Sequence, residues 1–349
     1  MAHKKSRPRL SPKPNQPSNS HNQEQRIKFL KDQLDDGIAP YQAYLNASEK
    51  VQFNAVDAQL FRLSLIQEIE AYTKRPLIVY EAHFSKGSEL GINAIGLDDK
   101  IGFCSLTDNI SDKNIDIMIQ SPGGSAEVVE QIVYILRKRF EHIRFIIPDA
   151  AKSAATMLAL SGNCLLMDER SELGPIDPQV FIPTQGGYIF VPADTIIQGF
   201  ENAKTEIQKN PNAFLVYDSL LRKYDLHTFE ICRNVTNLAK SLVSSWLSQY
   251  MFDGQPDANE RAESVAEKLC AHSKLLSHGR PITLDICRND LELSIIDLHD
   301  DPELRKNIWL LHNSYQFHLD QSPAIKIYEN SKGTSWNKSL IAQPSIQKP

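Results

Sequence analysis

The amino-acid sequence predicts an α/β fold built on a mainly parallel sheet. Apolar runs at Ile115–Ile119, Ile143–Ile147 and Leu165–Met167 have the length of buried strands. Between them, Val128 to Phe140 and Ser153 to Leu160 carry apolar residues at helical spacing. Strand, helix, strand, helix, strand is the pattern of a parallel sheet with crossover connections. Gly123-Gly124 and Ser153 mark the two places where a strand passes into a helix.

The flanking elements follow in order. Met1 to about Gln23 holds Lys4, Lys5, Arg7, Arg9 and Lys13, no acidic residue and Pro8, Pro12, Pro14 and Pro17. It reads as a disordered basic tail, because it cannot bury enough apolar surface to order itself. Residues 24–76 read as an N-terminal helical extension in which Leu60, Leu63, Leu65, Ile66 and Ile69 mark a helix stopping near Arg75-Pro76. Leu77–Tyr80 reads as a strand, and Gly91 to Asp112 as mixed structure. Residues 77–300 form the expected main domain. Within it, Pro175 to Gly187 is punctuated as a loop region. Ala193–Lys209, Thr228–Phe252 and Glu260–Leu276 read as helices, and Pro281–Leu293 holds a helical turn. Residues 301–349 are expected to add a C-terminal helix and a polar tail, frayed beyond Asn330.

Composition excludes several classes. The chain has 349 residues, 41% hydrophobic and 23% charged, as ordinary globular proteins do. A net charge of −5 does not suit a nucleic-acid binder. Its five cysteines are scattered and form no CxxC pair, which points away from zinc and disulfide frameworks and toward a reducing compartment. No apolar run is long enough to span a membrane. No secretory leader is visible. A cytoplasmic protein is expected, with membrane contact at most peripheral. His299, His312 and His318 are too dispersed for a metal site. With no GxGxxG and no phosphate-loop motif, no cofactor is expected.

The candidate chemistry lies at the two strand ends. Gly-Gly alone is a tight turn, and a serine at a helix start is commonly a cap. Together, at the carboxyl edge of one parallel sheet, they supply outward-facing amides and a hydroxyl beside a helix N-terminus. The small Ala151, Ala154 and Ala155 leave room for a substrate backbone. Acyl transfer needs such a nucleophile beside such donors.

Five pieces carry a family resemblance: Leu65–Glu70, Ile115–Ser125 with its Ser-Pro-Gly-Gly, Lys152–Ala154, Leu173–Gln179 (Leu-Gly-Pro-Ile-Asp-Pro-Gln) and His278–Ile282. Through them the chain resembles the serine dehydrogenase proteinase family. That family is similar to signal peptide peptidase A and, more distantly, to the Clp protease and crotonase fold. The resemblance implies a Clp/crotonase-like fold and a serine peptidase acting on peptide or protein substrates without a cofactor. It implies Ser153 as nucleophile, with an oxyanion hole from the amides of Gly124, Gly123 and Ala154. It also implies assembly into a homo-oligomer. Two departures stand out: relatives usually carry a glycine near Ala154, and an uncharged residue where Lys152 stands.

The base is open at this level. Clp-type proteases place a histidine about one strand and one turn after the serine, where this chain has Gly174-Pro-Ile-Asp177-Pro178. Signal peptide peptidase relatives use a lysine from a later segment. Lys204, Lys223 and Lys240 are candidates, and Lys240 has the most apolar neighbours. His278 is the alternative, since imidazole accepts a proton near neutral pH. Asp177 either orients a base or fixes its own turn. Two further functions share the fold: an inactive peptide-binding or scaffold protein, and a crotonase-like acyl-CoA enzyme.

Overall fold

A computed structural model describes residues 19–184, 187–221, 225–271 and 275–340. The chain divides into two compact units, Met1–Phe61 and Arg62–Pro349.

The first unit contains α1 (Asn19–Asp35), α2 (Pro40–Val51) and the start of α3 (Ala55–Thr73). Pro40 opens α2, where its missing N–H leaves no bond unmade. Asn54 opens α3. Its side chain accepts the N–H of Val56 at 2.9 Å, and the Asp57 carboxylate accepts the N–H of Asn54 at 2.9 Å. Asp57 also takes two bonds from Arg26, at 2.6 and 3.0 Å, which ties α1 to α3. Leu30, Tyr44, Phe53 and Phe61 fill the small core. The basic tail expected over residues 1–23 lies outside the described residues as far as residue 18, and α1 begins at Asn19.

The second unit is a mixed α/β fold on a mostly parallel sheet, as the sequence predicts. Strands β1 (Leu77–Ala82), β2 (Asn114–Gln120), β3 (His142–Ile146), β5 (Cys164–Met167) and β10 (Ile295–Asp297) run parallel. Two antiparallel strands, β11 (Ala324–Asn330) and β12 (Ser335–Ser339), extend the β1 edge, giving the order β10-β5-β3-β2-β1-β11-β12. Every residue of β1 is buried, because both faces of the sheet are covered.

Alternation along the strands sorts the side chains. Ile78 and Tyr80 of β1 and Ile115, Ile117 and Ile119 of β2 share one core with α4 (Leu97–Thr107), α5 (Ala126–Arg139), α6 (Ala154–Ala159), α9 (Leu226–Trp246) and α10 (Ala258–Cys270). The opposite face carries Glu81, whose carboxylate lies 3.1 Å from His312 Nδ1 on α11 (Pro302–Gln321). A second, three-stranded sheet places β4 (Ala150–Ala151) parallel to β6 (Glu172–Leu173), and β6 antiparallel to β9 (Ile282–Thr283). Helices α7 (Ala193–Lys209) and α8 (Phe214–Leu221) also belong to this unit.

Three expectations are corrected. The region expected as loop contains a hairpin, β7 (Gln179–Thr184) with β8 (Gly187–Pro192). Both arms are rich in β-branched and aromatic residues that pair across, Val180 with Val191 and Phe181 with Phe190. The chain beyond Asn330 is not frayed as far as Leu340. It turns back as β12, where Trp336 stacks on Tyr328 with ring centroids 3.9 Å apart. The helix expected to reach Leu276 stops at Cys270. Residues 341–349 lie outside the described residues.

Candidate active site

The site is built where β2 and β4 end side by side. Ser121 N–H donates to Ala150 O at 3.1 Å, and Lys152 N–H to Ser121 O at 3.0 Å. Beyond Ser121 the chain must make a turn that only glycine tolerates. Gly123 has φ +102° and Gly124 φ +153°. Space is as restrictive as torsion. A Cβ on Gly123 would sit 2.6 Å from Lys152 O and 2.7 Å from Ser153 Cβ; one on Gly124 would sit 2.3 Å from Ile95 O.

Ile95 fixes the direction of the turn. Its N–H donates to Gly123 O at 2.6 Å, and its O accepts from Ser125 N–H at 3.0 Å. This is a parallel bridge between Ile95 and Gly124. Such a bridge uses the groups flanking Gly124, so the Gly124 N–H faces the other way. It has no acceptor among the described residues. The Gly123 N–H is already given to Ser121 Oγ at 3.2 Å, so of the two glycine amides that of Gly124 is the one left unpaired among the described residues. Ser125 caps α5 by accepting the Val128 N–H at 3.2 Å.

Ser153 stands between β4 and α6 with φ +50° and ψ −120°. That conformation is sterically costly for a residue with a Cβ and is characteristic of functional turns. Ser153 is partly exposed at this sharp strand-to-helix turn. Its side chain does not cap α6, and the hydroxyl has no hydrogen-bond partner among the described residues. The N–H of Ala154, first residue of α6, is one of the donors a helix start leaves unpaired.

The turn is held by its neighbours. Thr156 Oγ1 lies 2.7 Å from Ala151 O and 3.0 Å from Gly174 O, and accepts Gly174 N–H at 2.9 Å. A Cβ on Gly174 would meet Lys152 Cα at 3.2 Å and Ser153 N at 3.3 Å. Gly123 and Gly174 therefore both approach the Lys152–Ser153 segment closely. Lys152 directs its ammonium to Glu172 at 2.5 Å and to Leu173 O at 3.2 Å.

Asp177 and His278 come together. Asp177 is fully buried, and its Oδ1 lies 2.7 Å from His278 Nδ1; His278 is about a third exposed. Topology explains their placement. Gly174 to Asp177 leaves the end of β6, and residues 278–281 lead into antiparallel β9, so both lie at the end of the small sheet where Ser153 leaves β4.

Lys240, on α9, is half-buried and makes no hydrogen bond or ion pair among the described residues. Burial pushes the Cys270 thiol up to about 12; the Lys240 charge opposes this, and Asp177 and Asp194 add to it. Lys240 and Asp177 thus share the surroundings of Cys270. Lys204 is a surface residue 3.4 Å from Glu201, and Lys223 lies outside the described residues.

Sequence reasoning missed Thr156 and Ile95. Neither had a signal: Thr156 is one hydroxyl in a short apolar helix, and Ile95 one apolar residue in a mixed stretch. Gly174 was legible only as part of Leu173–Gln179. Among the described residues no group of histidine, cysteine and acidic side chains could hold a metal, and no helix is long and apolar enough to cross a membrane.

A mostly parallel α/β sheet ending in a diglycine turn against a strained serine places the molecule among the ClpP-like α/β proteins. Residues 98–330 match the family described as ClpP-like SDH-type serine proteinase, and the chain belongs to that family, as the motif resemblance predicts. Two proteins of Methanocaldococcus jannaschii, both described as uncharacterized, are similar. MJ0137 is 26% identical over 220 residues, covering 62% of this chain and 63% of that protein. MJ1495 is 30% identical over 222 residues, covering 64% and 62%. The matches thus span less than two thirds of these relatives' own length. Among solved structures, two mutants of the 1510-N membrane-bound stomatin-specific protease are similar, each with a TM-score of 0.38. One is 14% identical and covers 67% of this chain and 84% of that one. The other, in complex with a substrate peptide, is 13% identical and covers 78% and 94%.

Proposed function

We propose that this protein is a serine peptidase in which Ser153 attacks the peptide carbonyl and His278, oriented by Asp177, serves as its base. The Asp177–His278 bond of 2.7 Å is the observation that carries this choice of base. A carboxylate on Nδ1 holds the proton there and leaves the Nε2 lone pair free to accept the serine proton. As that proton passes to Nε2, Ser153 Oγ bonds to the carbonyl carbon. The negative oxygen is held by the amides of Gly124 and Ala154, each donor contributing roughly 3 kcal/mol in serine hydrolases. Collapse breaks the C–N bond while Nε2 returns its proton to the leaving amine. Water then releases the acyl group by the same route. This role requires His278 Nε2 to come within hydrogen-bond reach of Ser153 Oγ when substrate is bound.

The chemistry fits a peptide or protein substrate lying extended beside the strand ends. Five free cysteines support a reducing, cytoplasmic setting. The exposed Phe181, Tyr188 and Phe190 on the hairpin support association into a homo-oligomer.

Lys240 gives a second reading of the base, favoured by its unpaired position near Cys270 and Asp177. Cleavage of a peptide library by wild type, His278→Ala and Lys240→Met separates the two. If Lys240→Met is inactive and His278→Ala is not, the base assignment passes to the lysine.

A further inference from the structure

A second site lies on the outer side of α5, in a groove of about 670 Å³ between α4, α5 and the end of α9. Its size is that of small-molecule sites. Charge sets its class. Lys100, Arg137 and Lys138 line it, against Glu130 as the one lining acid, in a chain whose net charge is −5. Arg137 has no carboxylate partner among the described residues. Its guanidinium bonds Ser161 O at 3.1 Å, Glu141 O at 3.2 Å and Asn163 Oδ1 at 3.0 Å, and lies 3.6 Å over the Tyr250 ring. Neutral carbonyls fix it in place without cancelling its charge, and burial lowers its pKa to about 10. Lys100 has no ion-pair partner among the described residues.

Aromatic and amide groups complete the lining. Tyr134 is 65% exposed, with the Lys138 ammonium 5.3 Å from its ring centroid; the buried Trp246, and Tyr250, whose ring Arg137 covers, line the same groove. Gln131, Gln249 and Ser245 supply both donors and acceptors. Tyr250 reaches the groove because α9 gives way to a π-helical turn, Leu247–Met251, a local irregularity frequent at functional sites. Cations for a phosphate, an exposed ring for a base, and amides for sugar hydroxyls and base edges occur here together.

We propose that this groove binds a nucleoside phosphate, independently of the peptidase chemistry. It uses neither of the glycine-rich nucleotide motifs that are missing from the sequence. Arg137 also gives such a site a route to the first one. It joins the end of α5 to Ser161 just past α6, and these two helices begin at the diglycine turn and at Ser153.

Adenosine 5′-monophosphate, titrated into the full chain and followed by calorimetry and tryptophan fluorescence, tests the proposal. Saturable binding is expected, with adenosine alone and inorganic phosphate alone each at least about tenfold weaker. The exposed-residue variants Lys138→Glu and Tyr134→Ser are each expected to weaken binding at least about tenfold with an unchanged melting temperature. No saturable binding up to about 1 mM, or binding unchanged in both Lys138→Glu and Tyr134→Ser, overturns it.

Discussion

The Asp177 carboxylate and the His278 imidazole lie 2.7 Å apart although 101 positions separate them in the chain. Two strands of a small sheet bring them together, β6 running out toward Asp177 and β9 running in from His278. Ser153 leaves the third strand of that sheet at the same end. If this pair supplies the base, His278→Ala should lower kcat about a thousandfold or more, since loss of a triad histidine has effects of that order. Asp177→Asn should lower kcat strongly with little change in KM, and Lys240→Met should stay within about tenfold of wild type. Steady-state kinetics on one peptide substrate checks all three.

The diglycine turn makes a steric prediction. Gly123→Ala puts a methyl 2.6 Å from Lys152 O, and Gly124→Ala one 2.3 Å from Ile95 O, both against backbone that cannot rotate away. Each substitution also meets the cost of a positive φ, about 1–3 kcal/mol. Both variants should melt lower than wild type. Gly123→Ala, which presses on the Lys152–Ser153 segment itself, should lose the larger share of activity. Calorimetric melting and peptide turnover report the two effects separately.

The Thr156 hydroxyl bonds backbone flanking the Ser153 turn, at Ala151 and at Gly174. Thr156→Val keeps the shape and leaves Gly174 N–H and the facing carbonyls without their partner, at a cost of about 1–3 kcal/mol. Thr156→Ser should recover most of the loss. Urea unfolding of the two variants beside wild type measures the difference.

Acid stability should depend on Glu329. Burial alone raises its carboxyl pKa, but the bonds from Arg62, Tyr315 and Ser335 outweigh burial and hold it below the ordinary value of 4.5. Arg62 reaches it at 2.7 and 2.8 Å. A depressed folded-state pKa means that the unfolded chain binds the proton more readily. The contribution is therefore complete above the ordinary glutamate value and is lost as pH falls through the folded-state value. Glu329→Gln should destabilise by about 3–5 kcal/mol at neutral pH, because the buried Arg62 loses the carboxylate that accepts two of its hydrogen bonds. The variant should also show a shallower fall of melting temperature below about pH 4.5. Melting curves across the acid range test both parts.

Much of the core was legible because periodicity and glycine placement are local. Ile115, Ile117 and Ile119 announced a buried strand, and Gly123-Gly124 announced a turn needing unusual torsions. The hairpin at Gln179–Pro192 was not legible, since its Pro and Gly residues resemble loop punctuation and only the cross-strand pairing of Phe181 with Phe190 reveals it. The strand Ser335–Ser339 is mostly polar, and its order comes from Trp336 stacking on a residue of another strand. In the site, Ser153 and the glycines stood out by type and spacing. Asp177 and His278 could be singled out individually, but their bond could not, because it depends on a sheet register that no short stretch encodes.

The central claim is that Ser153 is a reactive nucleophile, and covalent labelling tests it most directly. Treatment of the full chain with a fluorophosphonate probe, followed by peptide mapping by mass spectrometry, should place one phosphonyl group on Ser153. Ser153→Ala, folded to the same melting temperature, should take up none. Equal labelling of wild type and Ser153→Ala, or no labelling of a wild type that still cleaves peptides, would contradict the account.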